Sequence, residues 1–235
     1  YYWYRYANNI VEKGRIGDAV VNGMQYDTYQ LAPLGKPIAP QDTFFPYFIA
    51  YLYKFVRFFN PSITLWSVQT TAYPVLATGL TVLLIFLIGL KIAGNTGGFF
   101  GALMAGLHAA YVNRTIHGDN DAAVILFAVL TLWLFVQAIY SRKMLWQLTY
   151  AALAGLSLGV FSLGWGGWWF ILLFILMAAA TAMAAQVTIR QPIFPLLLGA
   201  ILAAAALAMG LATITTALLI LVVTATPTAA VMLAN

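Results

Sequence analysis

Of 235 residues, 63% are hydrophobic and only 7% are charged, which excludes an ordinary soluble domain, where about a quarter carry charge. The lack of cysteine excludes a disulfide framework and thiolate metal sites. The net charge of +5 points to no nucleic-acid partner, because in a lipid-dissolved chain the placement of Lys and Arg matters more than their sum.

Tyr1-Tyr2-Trp3-Tyr4-Arg5-Tyr6 leads into a short helix that should end near Gly14. Gly17, Gly23, Pro33, Gly35, Pro37 and Pro40 then punctuate a turn-rich stretch. Residues 44–59 read as a second aromatic helix, carrying Lys54 and Arg57. Tyr and Trp favour the bilayer interface, where the ring is apolar and its tip wet, so residues 1–62 read as an ordered external loop lying on the membrane. Residues 63–235 read as a helix bundle of about seven spans, each near the roughly 20 residues that cross hydrocarbon. These fall at 65–90, 97–113, 121–140, 145–164, 167–186, 193–211 and 213–233. The fold class expected is therefore an all-α, polytopic membrane protein. An opening without Met and a tail still apolar at 224–235 read as a piece cut at both ends from a larger protein.

Charge orients the bundle. Lys91, Arg142, Lys143 and Arg190 fall in loops on one side, which the positive-inside rule makes cytoplasmic. The loop of residues 1–62, the turn at 164–169 and the polar segment Asn113-Arg114-Thr115-Ile116-His117-Gly118-Asp119-Asn120-Asp121 share the outer face.

That polar segment concentrates the chemistry. It holds two of only six acidic residues, with one residue between them, at a helix boundary. Charge is costly inside a bilayer, so such carboxylates meet water, a cation or both. Two of them in a turn can converge on a hard divalent ion such as Mg²⁺ or Mn²⁺. The plainer role is capping, with Asp121 accepting from the first N–H groups of a helix starting at Ala122. Arg114 fits either a carboxylate or a substrate phosphate, or merely snorkels to the interface. His117 is either a ligand or a hydrogen-bonded surface group, and His108, inside an apolar run, reads as a packed helix residue. Asn113-Arg114-Thr115 also matches a glycosylation acceptor, here more naturally structural. The residues by themselves suggest a metal-assisted active site at a membrane surface.

Three motifs in series sharpen this: Tyr1-Tyr2-Trp3-Tyr4-Arg5-Tyr6 with Val11-Glu12-Lys13-Gly14, then Ala32-Pro33-Leu34-Gly35-Lys36-Pro37, then Asn113-Arg114-Thr115 with Gly118 and Asp121. Over residues 1–140 the chain resembles the catalytic subunit of oligosaccharyltransferase, most closely its archaeal form, a glycosyltransferase of the GT-C architecture. The resemblance implies transfer of an oligosaccharide from a dolichyl phosphate or diphosphate carrier to the Asn of an Asn-x-Ser/Thr sequon. It implies Mn²⁺ or Mg²⁺ held by carboxylates of two external loops, and a single-subunit enzyme in the cell membrane working on the extracytoplasmic face. The family's first-loop Asp would stand two residues before Tyr1. Its second-loop pattern, Gly-x-x-Asp-x-acid, places Asp121 and Ala123 on the acidic positions without a gap, or Asp119 and Asp121 with the loop shortened by two. Asp121 thus ranks first as metal ligand and Asp119 second, with Asn120 and His117 as substitutes. Lys36, in place of an Arg, and Arg114 and His117 would face the lipid phosphate. The family's later-loop Glu and sequon-reading Trp-Trp-Asp-Tyr-Gly motif are not in this sequence, so the chain alone should be inactive. Another GT-C transferase and a transporter are the competing readings; a transporter would rather carry ionisable groups at the bilayer midplane.

Overall fold

Helix α1 covers Tyr2–Lys13 of this computed structural model, which describes residues 1–39 and 42–184. It ends where expected, because Gly14 takes a left-handed φ of 70° and its N–H bonds the Ile10 carbonyl at 3.1 Å. Its inner face, Tyr6, Ala7, Asn9 and Ile10, is buried. Helix α2, Phe44–Phe59, has the span expected and packs on α1, with Trp3 edge-on to Phe45 at 5.5 Å between ring centres.

The turn-rich stretch between them holds more structure than expected. Strands β1 (Ala19–Val21), β2 (Met24–Asp27) and β3 (Lys36–Pro37) form a small antiparallel sheet in that order. The pairing Val21↔Met24 leaves Asn22-Gly23 as a two-residue turn, and their φ values of 51° and 79° suit the right-handed twist of a hairpin. The all-α expectation therefore holds for the membrane part, while the stretch between α1 and α2 adds this ribbon.

A short helix α3 (Leu65–Ser67) is capped by the Thr64 hydroxyl, which accepts from the Ser67 N–H at 3.1 Å. It runs through one wide π turn, Val68–Ala72, into α4, Tyr73–Leu107. Forty-three continuous residues, Leu65–Leu107, would make a rod far longer than a bilayer is thick. The backbone instead leaves helical geometry at Ala93 and Gly94, the latter with φ 69°. Side chains there show that the chain doubles back: a Cβ on Gly101 would stand 3.5 Å from Ile85 Cγ2, a pair that a straight helix would separate by about 24 Å. The two spans expected at 65–90 and 97–113, with Lys91 at the bend, are thus a hairpin. Helices α5 (Ala109–Thr115), α6 (Asp121–Tyr140), α7 (Met144–Ser162) and α8 (Trp169–Ala184) follow. Among the described residues three helices are long and apolar enough to cross a membrane: Leu65–Leu107, Asp121–Tyr140 and Met144–Ser162. The spans expected at 193–211 and 213–233, the end of 167–186 and the loop of Arg190 lie outside the described residues.

One compact unit comprises Tyr1–Leu83, Leu103–Leu126 and Leu163–Trp165. Its core joins α1 and α2 to the starts of the later helices, with Ala7, Phe45, Ile49, Tyr53, Leu65, Val68, Tyr73, Ala77, Ala122 and Ala123 all buried together. A second, separately described unit comprises Leu84–Ala102, Phe127–Ser162 and the chain from Gly166. Within it the buried Thr131 hydroxyl bonds Ser157 at 2.9 Å and so links α6 to α7. There too the Lys91 ammonium stands 5.8 Å from the centre of the Tyr140 ring, beside the Arg142-Lys143 turn, as the charge pattern required.

Candidate functional site

Residues 116–120 connect α5 to α6, and the first unit holds this loop from three directions. From the π turn, the Gln69 amide donates to the Gly118 carbonyl at 2.5 Å. Gly118 lies so close to that turn that a Cβ would stand 2.9 Å from the Gln69 carbonyl oxygen and 3.2 Å from Thr70 Cα. From the first turn of α4, the buried Tyr73 hydroxyl accepts from the Ala123 N–H at 2.6 Å. From the α7–α8 connection, the Gly164 carbonyl accepts from the Asn120 amide at 3.3 Å. The last bond ties the start of the α7–α8 connection to the acidic loop.

The acids sit within this frame. Asp121 is the first residue of α6 rather than its cap, and the Asn120 carbonyl accepts the opening helical bond from Val124 N–H at 2.9 Å. The capping role expected of Asp121 falls instead to Asp119, whose Oδ1 accepts from the Asp121 N–H at 3.1 Å. Released from that duty, the Asp121 carboxylate pairs with Arg114, Oδ2 to Nη1 at 3.2 Å, in an ion pair open to solvent and so of small worth to stability. Burial pushes the half-buried Asp119 carboxyl above its ordinary value, and the Asp121 charge adds to this. The bond from the Asp121 N–H and the positive charge of Arg114 oppose it. His117 stands two residues before Asp119 in the same loop, with its side chain exposed.

The structure thus brings Arg114, His117, Asp119, Asn120 and Asp121 together. Lys36 stands elsewhere in the unit, exposed on β3 opposite Asp27, and among the described residues no hydrogen bond or ion pair links it to the acidic loop. His108 is not the packed helix residue expected: it is exposed at the break between α4 and α5, and its Nδ1 accepts from the Tyr111 N–H at 3.2 Å.

As a cation site, the loop offers the His117 imidazole and two carboxylates crowded enough for one to raise the other's pKa, a repulsion that a divalent ion would relieve. Among the described residues no group of three His, Cys, Asp or Glu side chains gathers closely enough to hold an ion unaided. Mg²⁺ and Mn²⁺ suit that shortfall, since they commonly keep waters and phosphate oxygens as partners. Sequence reasoning missed Gln69 and Tyr73. Their only signal was a polar side chain and an aromatic hydroxyl in an otherwise apolar run, which many packed helices share.

The chain is 26% identical over 178 residues to a dolichyl-phosphooligosaccharide-protein glycotransferase of Methanococcus voltae, a match covering 72% of this chain and 19% of that protein. It is 27% identical over 150 residues to the dolichyl-diphosphooligosaccharide–protein glycosyltransferase subunit STT3B of Arabidopsis thaliana, covering 61% of this chain and 19% of that one. The chain therefore spans about a fifth of the length of these curated relatives. The family described as oligosaccharyl transferase STT3, N-terminal, matches residues 1–234, nearly the whole chain. With its apolar helices and its polar loop at their end, the chain is a membrane protein and belongs to the STT3 oligosaccharyl transferase family.

Proposed function

We propose that this chain is the part of an oligosaccharyltransferase that grips the lipid phosphate of the sugar donor, in an enzyme that transfers the glycan from a dolichyl phosphate or diphosphate to a sequon Asn. The observation that carries the reading is the Arg114–Asp121 pair beside the half-buried Asp119, set at the end of apolar helices in a family of this name. Asp121 and Asp119 would hold Mn²⁺ or Mg²⁺, which when bound supplies Lewis-acid neutralisation of charge growing on a leaving phosphate. Arg114, largely exposed at its guanidinium, can exchange its contact with Asp121 for a phosphate, whose geometry it matches in two bonds. His117 adds a second donor at the same rim, and Asn120, tied to Gly164, keeps the loop from folding over it. Lys36 reaches the phosphate as a point charge if the β ribbon closes toward the loop. The active face is extracytoplasmic in the cell membrane, a reading supported by the sequence pattern, in which Lys91, Arg142 and Lys143 alternate with the acidic loop between apolar runs. The enzyme is of the archaeal, single-subunit type, and residues 1–235 alone do not complete the reaction.

The test is transfer of a lipid-linked oligosaccharide to a sequon peptide by the full protein, wild type against Asp121→Ala, with Mn²⁺ titrated. The expected result is a loss of at least about a hundredfold in transfer, on the scale of removing a preorganised charge-stabilising group, and loss of the Mn²⁺ dependence. Transfer by Asp121→Ala at the wild-type rate would overturn the reading.

A further inference from the structure

Gln69 is a buried amide, 3% exposed, in the middle of the wide π turn Val68–Ala72. Its nitrogen has a partner in the Gly118 carbonyl, while its oxygen is buried with none. An orphaned buried acceptor costs stability, so an apolar residue would serve a packing role better at this position. What the position uses is the donor. Four residues on, the buried Tyr73 hydroxyl takes the Ala123 N–H at 2.6 Å. The two side chains leave one face of the same helix and grip the two ends of a single segment, 118–123, which contains Asp119, Asn120 and Asp121. The π turn matters because an extra residue per turn changes where each side chain points, and such insertions recur at functional sites. Gly118 completes the fit, since its bare Cα lets the loop backbone meet the turn without a clash.

We infer that Gln69 and Tyr73 are positioning residues, which touch neither ion nor phosphate but fix the height and rotation of the acidic loop through its backbone. This deepens the function proposed above and rests on it. Outer partners that orient metal-binding carboxylates typically matter by 10–100-fold in affinity when removed. Gln69→Met keeps length and apolar packing while deleting the donor, and Tyr73→Phe keeps the ring and deletes the hydroxyl.

The experiment uses the full protein in detergent and reads thermal melting against Mn²⁺ concentration, so no turnover is needed. Wild type should be stabilised by Mn²⁺, and Asp121→Ala should lose that response. Gln69→Met and Tyr73→Phe should each raise the half-saturating Mn²⁺ concentration by roughly tenfold. Thr70→Val, which removes a hydroxyl that bonds the Trp66 carbonyl of the same turn, should leave it unchanged. If Gln69→Met and Tyr73→Phe lower melting without ion yet keep the wild-type half-saturation, their role is structural and the inference fails while the functional reading stands. If wild type itself shows no response to Mn²⁺, the reading and the inference fall together.

Discussion

Removing the Arg5 guanidinium should open the β ribbon selectively. The Asp27 side chain is 1% exposed and receives three donors: Arg5, the Tyr6 hydroxyl at 3.0 Å and the Tyr29 N–H at 3.0 Å. The Arg5 guanidinium also stacks over the Tyr29 ring, 4.6 Å from its centre. Burial, then Tyr2 and Asp27, hold the Tyr6 phenol far above its ordinary range, so it remains a donor at any working pH. Arg5→Met preserves the stem and strands a buried carboxylate. Breaking a buried pair in this way costs about 3–5 kcal/mol, and because Arg5 is 29% exposed the lower figure applies. About 3 kcal/mol is roughly a hundredfold in the ribbon's opening equilibrium. Asp27 pairs with Lys36 in register, so the same opening frees the strand that carries Lys36. The assay is amide hydrogen exchange read by mass spectrometry at Asp18 and Ile38, whose N–H groups bond the carbonyls of Tyr26 and Gln25. Exchange there should accelerate by that factor, while peptides around Thr131 and Ser157 keep their protection. Tyr6→Phe, which deletes one bond to a charged acceptor, should give a smaller effect of about 1.5–3 kcal/mol. Exchange in Arg5→Met within threefold of wild type would show that Asp27 is not held as described.

Other changes test the rest of the framework. Gly118→Ala must push backbone against backbone at the π turn, and should lower stability by about 1–3 kcal/mol in thermal or denaturant unfolding. Gly89→Val places a branched side chain where even a Cβ would stand 2.5 Å from the Gly97 carbonyl oxygen, and should separate the arms of the 65–107 hairpin; loss of a disulfide engineered between Ile85 and Gly101 reports it. Burial alone would raise the Asp18 carboxyl, but the Thr28 hydroxyl and N–H hold it below its ordinary value. A carboxyl with a lowered folded pKa stabilises above its unfolded pKa and loses that contribution as pH falls through the folded one. Protection of the Thr28 amide, corrected for intrinsic exchange, should therefore decline as pH drops below the usual carboxylate range, and Asp18→Asn should remove that trend.

Much of the fold was legible because its signals are local. Gly14 stops α1 through its own φ, and the span of α2 follows from an aromatic run bounded by Thr43 and Asn60. The hairpin of β1 and β2 was written in Asn22-Gly23, yet it was passed over because glycines and prolines around it read simply as turns. His108 was misplaced for a related reason: hydropathy averages over a window and cannot see one residue leaving helical geometry. The acidic loop announced itself by scarcity of charge, but which acid caps and which pairs was not legible. Asp119 and Asp121 have the same chemistry, and only the backbone path decides which carboxylate turns inward.

Sequence alone determined that the chain dissolves in lipid, where its apolar stretches lie, and that two of its six acidic residues fall together at one helix boundary, because composition and spacing act over a few neighbouring residues. Tertiary structure decided how that boundary is held. Gln69 and Tyr73 lie some fifty positions before the groups they bond, and contacts across such a separation leave no periodic trace in the chain. They exist only once the helices have brought distant turns to the same end.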